Sequence, residues 1–97
     1  MLSYKAVMMS GRDNVATALE EIPAGGRVSV RKGEEQLGVE IKEHIPFGHK
    51  FAMEPIAAGT KVMKYGQVIG AASQDIEPGR HVHTHNVESL RGRGDKQ

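Results

Sequence analysis

The segment Gly79-Arg80-His81-Val82-His83-Thr84-His85-Asn86 sets three imidazoles at alternate positions, the densest group of chemistry-bearing side chains in the sequence. Imidazole ligates metals when neutral and moves protons near neutral pH. Side chains alternate along a β-strand, so His81, His83 and His85 would share one face, and Val82 and Thr84 the other. Neighbours on that face stand about 6.6 Å apart along the strand and can converge on one ion, whereas the outer pair, about 13 Å apart, cannot. A straight strand therefore allows no more than two of them on one metal, and His83 with His85 is the candidate pair. Polar alternation on a solvent-facing strand is ordinary, but histidine is scarce, and a threefold alternation of it favours function over surface filling.

A second group is Ile45-Pro46-Phe47-Gly48-His49-Lys50, with His44 just before it. Proline and glycine make this a turn that presents His49 and Lys50 side by side, a donor pair suited to a carboxylate or a hydroxyl. On sequence alone a solvated loop is the simpler explanation. Lys64-Tyr65-Gly66-Gln67-Val68-Ile69-Gly70 is weaker still as a chemical site. Tyr65 reads as a packing residue with its hydroxyl partly exposed, and the glycine stretch as a place where backbones approach closely. Asp13 reads as a helix N-cap before it reads as an acid catalyst. The sequence holds no phosphate-binding loop, nucleophile elbow, His-Glu-x-x-His helix or dinucleotide fingerprint, so the common self-sufficient active sites are absent.

The elements that must position these groups are mostly strands. Tyr4 to Met9 is an apolar run that predicts an opening strand, with Ser10-Gly11-Arg12 turning the chain. Val15, Ala18, Leu19 and Ile22 fall at helical spacing after Asp13 and before Pro23, which predicts one short helix over about residues 13–22. Val28 and Val30, the turn Lys32-Gly33-Glu34, and Leu37, Val39 and Ile41 predict a hairpin. Short strands follow around Ile56, Val62-Met63, Val68-Ile69 and Val82. A pattern Ile-x-x-Gly-x-x-Val recurs at Ile22, Ile56 and Ile76. It predicts a turn entering a strand, with isoleucine as anchor, glycine in a positive-φ turn position and valine opening the strand. The unequal spacing of the copies excludes a solenoid and points to a barrel-like or clip-like β domain.

The sequence of 97 residues predicts one domain over residues 1–88 and a polar, glycine-containing tail over 89–97. An Arg-Gly-Asp tripeptide in that tail is discounted as chance. Two tyrosines and two phenylalanines are the only aromatics, so the core must be aliphatic and its stability thin, and contact with a partner would add to it. Thirteen basic and twelve acidic residues are scattered, which disfavours nucleic acid and anionic membrane as partners. With no cysteine, disulfides and thiolate metal sites are excluded, leaving histidine and carboxylate as ligands. No signal segment or membrane-length apolar run is present, and cytoplasm is the default expectation.

Taken together, Asp13-Asn14-Val15-Ala16, Ile45-Pro46-x-Gly48-His49-Lys50, Lys64-Tyr65-Gly66-x-x-Ile69-Gly70 and Gly79-x-His81-Val82-His83-Thr84-His85-Asn86 resemble the N-terminal domain of the altronate dehydratase family. That family also includes galactarate dehydratase and sulfolactate sulfo-lyase. The segments occur in the family's order and cover the chain from Asp13 to Asn86. The resemblance implies an SAF-type β-clip domain and a lyase that removes water, or sulfite in the sulfolactate branch, from a small hydroxylated acid such as altronate or galactarate. It implies a divalent metal such as Fe2+, held mainly by a larger subunit, and a face formed by His49, Lys50, His81, His83 and His85 that completes a shared active site. The sequence stops where the much larger second domain of fused members would begin, and its methionine start and polar tail favour a small subunit over an excised domain. A non-catalytic module binding an acidic carbohydrate is the alternative, and homo-oligomerisation is left open.

Overall fold

A computed structural model describes residues 3–89. They form nine strands and no helix, as a mostly β chain: β1 (Tyr4–Met8), β2 (Val15–Ala18), β3 (Arg27–Lys32), β4 (Glu35–Glu40), β5 (Lys50–Ala52), β6 (Lys61–Lys64), β7 (Gln67–Ala72), β8 (His81–Val82) and β9 (Val87–Glu88). One sheet has the order β4-β3-β1-β2-β5-β8 and the other β6-β7-β9. The opening strand and the β3–β4 hairpin lie where the hydrophobic alternation predicts them, with Val28 opposite Val39 and Val30 opposite Leu37. β1 and β3 run parallel, and every other pairing is antiparallel.

The recurrent Ile-x-x-Gly-x-x-Val segment is the device that builds this fold. Gly25, Gly59 and Gly79 have φ of 87°, 89° and 85°, and in each copy the residue after the glycine donates its N–H to the carbonyl three residues back, the geometry of a type II turn. A fourth copy, Ile45-Pro46-Phe47-Gly48-His49-Lys50-Phe51, obeys the same rule, with Gly48 at φ 82° and phenylalanine in place of valine. The isoleucines pair through reciprocal backbone hydrogen bonds, Ile22 with Ile45 and Ile56 with Ile76.

These pairs anchor two cores. Ile22 and Ile45 pack with Ala6, Val28, Val30, Ile41 and Phe51, while Ile56 and Ile76 pack with Val15, Ala52, Val62, Ala72 and Val82. β2 and β5 form the wall between them, because successive side chains point to opposite faces: Ala16 and Phe51 enter the first core, Val15 and Ala52 the second.

The short helix expected over residues 13–22 is corrected by the structure. Residues 15–18 are β2, paired with both β1 and β5, and Leu19 is half exposed where a helical stripe would bury it. A strand buried on both faces reads as a continuous apolar run, and periodicity cannot tell such a run from a helix. Asp13 caps no helix. Its buried carboxylate accepts the N–H groups of Ser10 (3.2 Å), Tyr65 (3.0 Å) and Gly66 (2.8 Å). Asn14 beside it donates Nδ2 to the Lys61 carbonyl at 3.0 Å and accepts the Met63 N–H on Oδ1 at 2.9 Å, so the pair pins the small sheet to the large one. Apart from Ser89, the tail expected over 89–97 lies outside the described residues.

Candidate functional site

Two of the four turns feed neighbouring strands, and that places the imidazoles. The turn at Ile45 delivers His49 and Lys50 to β5, and the turn at Ile76 delivers His81 to β8. The strands pair antiparallel, with Phe51 opposite His81 and Lys50 opposite Val82. At this seam Nδ1 of His49 and Nε2 of His81 share a hydrogen bond of 2.9 Å.

β8 ends at Val82, so the single strand face expected for His81, His83 and His85 does not form. The chain turns instead, and the buried Asn86 closes the turn. Its Oδ1 accepts the His83 N–H at 2.9 Å, its Nδ2 donates to the His81 carbonyl at 2.8 Å, and its own N–H donates to the His83 carbonyl at 3.1 Å. The bend swings His83 over His49, with ring centroids 4.6 Å apart, and leaves it 5.2 Å from His81. One ring nitrogen each from His49, His81 and His83 lies within 4.8 Å of the others. His85 is outside this trio. Its ring is tilted 37° to that of His81 at 5.5 Å, and it lines a separate groove of about 470 Å³ with Glu43, Asp75, Glu77 and Arg80. The structure thus brings His81 and His83 together with His49 from the β5 side, rather than pairing His83 with His85; two of the three alternating imidazoles meet, within the limit expected of them, and the third donor comes from the neighbouring strand.

Burial drives His81 from 6.5 down to about 4, with His49, His83 and His85 pushing the same way and Glu43 opposing. The Glu43 carboxylate accepts the His81 N–H at 2.9 Å. His83 is lowered by desolvation and by His49, Lys50 and His85. Lys50, half-buried, is lowered by burial and then by Lys64. An imidazole held neutral near pH 7 is the ligating form. Beside the trio, Lys50, Ile69, His83, Thr84, Val87 and Ser89 line a cleft of about 270 Å³. The arrangement offers three convergent nitrogen donors and one cation at the mouth of a small cleft, which suits divalent metals and oxyanions.

Four features could not be read from the sequence. Glu43 and Asn86 position imidazoles through backbone groups, and no spacing rule announces either. The turn at Ile45 was legible, but its membership of the repeat would have emerged only had the closing position been allowed an aromatic residue. Tyr65, read as a packing residue, is a turn residue at φ 56°, half exposed, with the Lys64 Nζ 4.7 Å from its ring centroid. His44 stands apart, paired with Glu21 at 2.6 Å.

Among known sequences, residues 4–90 match the altronate/galactarate dehydratase SAF domain. The altronate dehydratase of Escherichia coli (strain K12) is 44% identical over 77 residues, which are 79% of this chain and 15% of that protein. That of Bacillus subtilis (strain 168) is 40% identical over 78 residues, 80% of this chain and again 15% of the relative. The chain therefore spans only a small part of the dehydratases it matches. The (2R)-sulfolactate sulfo-lyase subunit alpha of Chromohalobacter salexigens is 39% identical over 93 residues, covering 93% of this chain and 99% of that subunit. A match over nearly the whole described fold, with relatives this similar, means that the chain belongs to the altronate/galactarate dehydratase SAF domain family.

Proposed function

We propose that this chain supplies one wall of the active site of a lyase acting on a small hydroxylated acid, and that a larger polypeptide completes the site. The observation that carries the reading is the convergence of the His49, His81 and His83 nitrogens within 4.8 Å beside the half-buried Lys50. Elimination from a hydroxy acid removes a weakly acidic proton next to a carboxylate, so charge accumulates on that group while the departing hydroxide needs a proton. Lys50 supplies a cation for the carboxylate, and the imidazoles supply N–H donors around it.

Neutral nitrogen donors from three side chains also fit a divalent ion such as Fe2+ or Zn2+, with His49, His81 and His83 holding it and the remaining positions left to substrate and partner. When bound, such an ion supplies Lewis-acid stabilisation of the substrate oxygens. The names of the dehydratase relatives support dehydration of altronate or galactarate by α,β-elimination. Release of sulfite from sulfolactate is the second reading, favoured by the near-complete coverage of the sulfo-lyase alpha subunit.

Metal titration and reconstitution test the reading. The isolated chain binds Co2+ with the absorption of an imidazole-ligated ion. His49→Ala, His81→Ala or His83→Ala weakens binding strongly, and His85→Ala does not. Combined with the larger lyase polypeptide, the wild type supports turnover and His83→Ala does not. Unchanged turnover in the His49 and His83 variants, with the complex intact, would reduce the chain to a non-catalytic acid-binding module.

A further inference from the structure

The small sheet carries an apolar ridge that, among the described residues, nothing covers. In the β6–β7 hairpin Val62 pairs with Gly70 but Met63 pairs with Val68, so Ile69 is an extra, unpaired residue of a bulge. In a regular strand one of two successive side chains turns inward. Here Val68 and Ile69 are 42% and 41% exposed. Bulges re-aim side chains beside functional sites, and this one sets Ile69 into the wall of the cleft that holds Lys50 and His83. Gly70 fixes the hairpin there. A Cβ at that position would lie 2.5 Å from the Glu88 carbonyl oxygen and 2.6 Å from Val87 Cγ1, so β7 is pressed against β9 and no larger residue lets the strands approach as closely.

A small hydroxylated acid has no use for two branched aliphatic side chains, whereas a polypeptide has. Two observations indicate which polypeptide. Ser89, the last described residue, lines the same cleft, so in a continuous chain whatever follows this domain starts at its rim. In the altronate dehydratases the matched segment is 15% of the protein.

We propose that Val68 and Ile69 are the anchor by which the larger lyase polypeptide docks, closing over the His49–His81–His83 trio with an apolar patch and leaving Lys50 to the substrate. The proposal rests on the lyase reading, which requires such a partner. The test measures binding of the full chain to the larger lyase polypeptide of the same genome by titration calorimetry. Val68→Glu with Ile69→Glu weakens binding by about 30-fold or more, as for loss of a central apolar anchor. Leu37→Glu, on β4 at the far edge of the large sheet, leaves it unchanged. Retention of Co2+ binding by the double variant shows that it is folded, and Val68→Ser with Ile69→Ser replaces it if it is not. If the double variant binds as tightly as the wild type, the docking surface lies elsewhere and the lyase reading stands. If the wild type binds no larger polypeptide, both fall. If the chain sediments as a dimer that the double variant dissociates, the ridge covers a second copy and the proposal is overturned.

Discussion

Acidification of the metal-free chain tests the electrostatics of the site through one ring. His81 titrates near 4 in the fold, against 6.5 as its ordinary value. Between those pH values the unfolded chain takes up a proton that the folded chain refuses, so stability rises with pH across the window. It is whole above about pH 6.5 and is lost progressively as pH falls toward 4. A ring sealed from water would lose about 3.4 kcal/mol, from a displacement of roughly 2.5 pH units at 1.36 kcal/mol each. His81 is only partly buried, and water screens its neighbours, so about 1–2 kcal/mol is the expected loss. Urea unfolding at pH 7, 6, 5 and 4.5, run in parallel on His81→Gln, isolates this contribution as the difference in slope between the two proteins. Proton NMR of the His81 ring reports its midpoint directly. A midpoint between 6 and 7, or stability curves that run parallel for the two proteins, would refute the reasoning.

Two glycines with the same turn role separate strain from collision. Gly25→Ala meets open space and costs only the positive φ, about 1 kcal/mol, whereas in Gly79→Ala the new Cβ collides with the Glu40 carbonyl and about 3 kcal/mol or more is lost in denaturant unfolding. Equal costs would contradict this. Asn86→Ala strips the partners from the His83 N–H and the His81 carbonyl, costs about 2–4 kcal/mol, and weakens Co2+ binding beyond what His85→Ala does, because the bend that aims His83 is released. Asp13→Ala leaves the N–H groups of Ser10, Tyr65 and Gly66 without their carboxylate, and hydrogen exchange at Tyr65 and Gly66 accelerates as stability falls by about 2–4 kcal/mol.

Much of this fold is written in local chemistry. The β3–β4 hairpin follows from alternation, and the Ile-x-x-Gly-x-x-Val turns from the need for glycine at positive φ and an apolar residue on either side. The segment around Val15 was illegible for a physical reason: its partners β1 and β5 and its two cores are remote in sequence, and only they decide that Asp13-Asn14-Val15-Ala16 is extended. The candidate face was legible as to residue type and partly as to geometry. His81 and His83 could be singled out as candidates by residue type, and His49 and Lys50 through the family resemblance, but their grouping could not. It depends on where β8 stops, which Asn86 sets, and on the pairing of β5 with β8 across roughly thirty residues.

The repeated turn also explains why the site lies where it does. Isoleucine, glycine and the closing apolar residue are fixed by packing, so the two residues between glycine and the closing position are free to carry chemistry. They are Gly26-Arg27, His49-Lys50, Thr60-Lys61 and Arg80-His81, and only the second and fourth copies place imidazole there. Those two copies belong to different isoleucine pairs, one in each core. The imidazole trio therefore straddles the seam between two packing units, and its spacing is set by how they lock together rather than by either alone. The locks are the wall strands β2 and β5 and the polar bridge from Asp13 and Asn14 to the β6–β7 hairpin. The same hairpin carries Val68 and Ile69, so a partner seated on that ridge would press on the element that holds the seam closed, coupling occupancy of the docking surface to the geometry of the nitrogen donors.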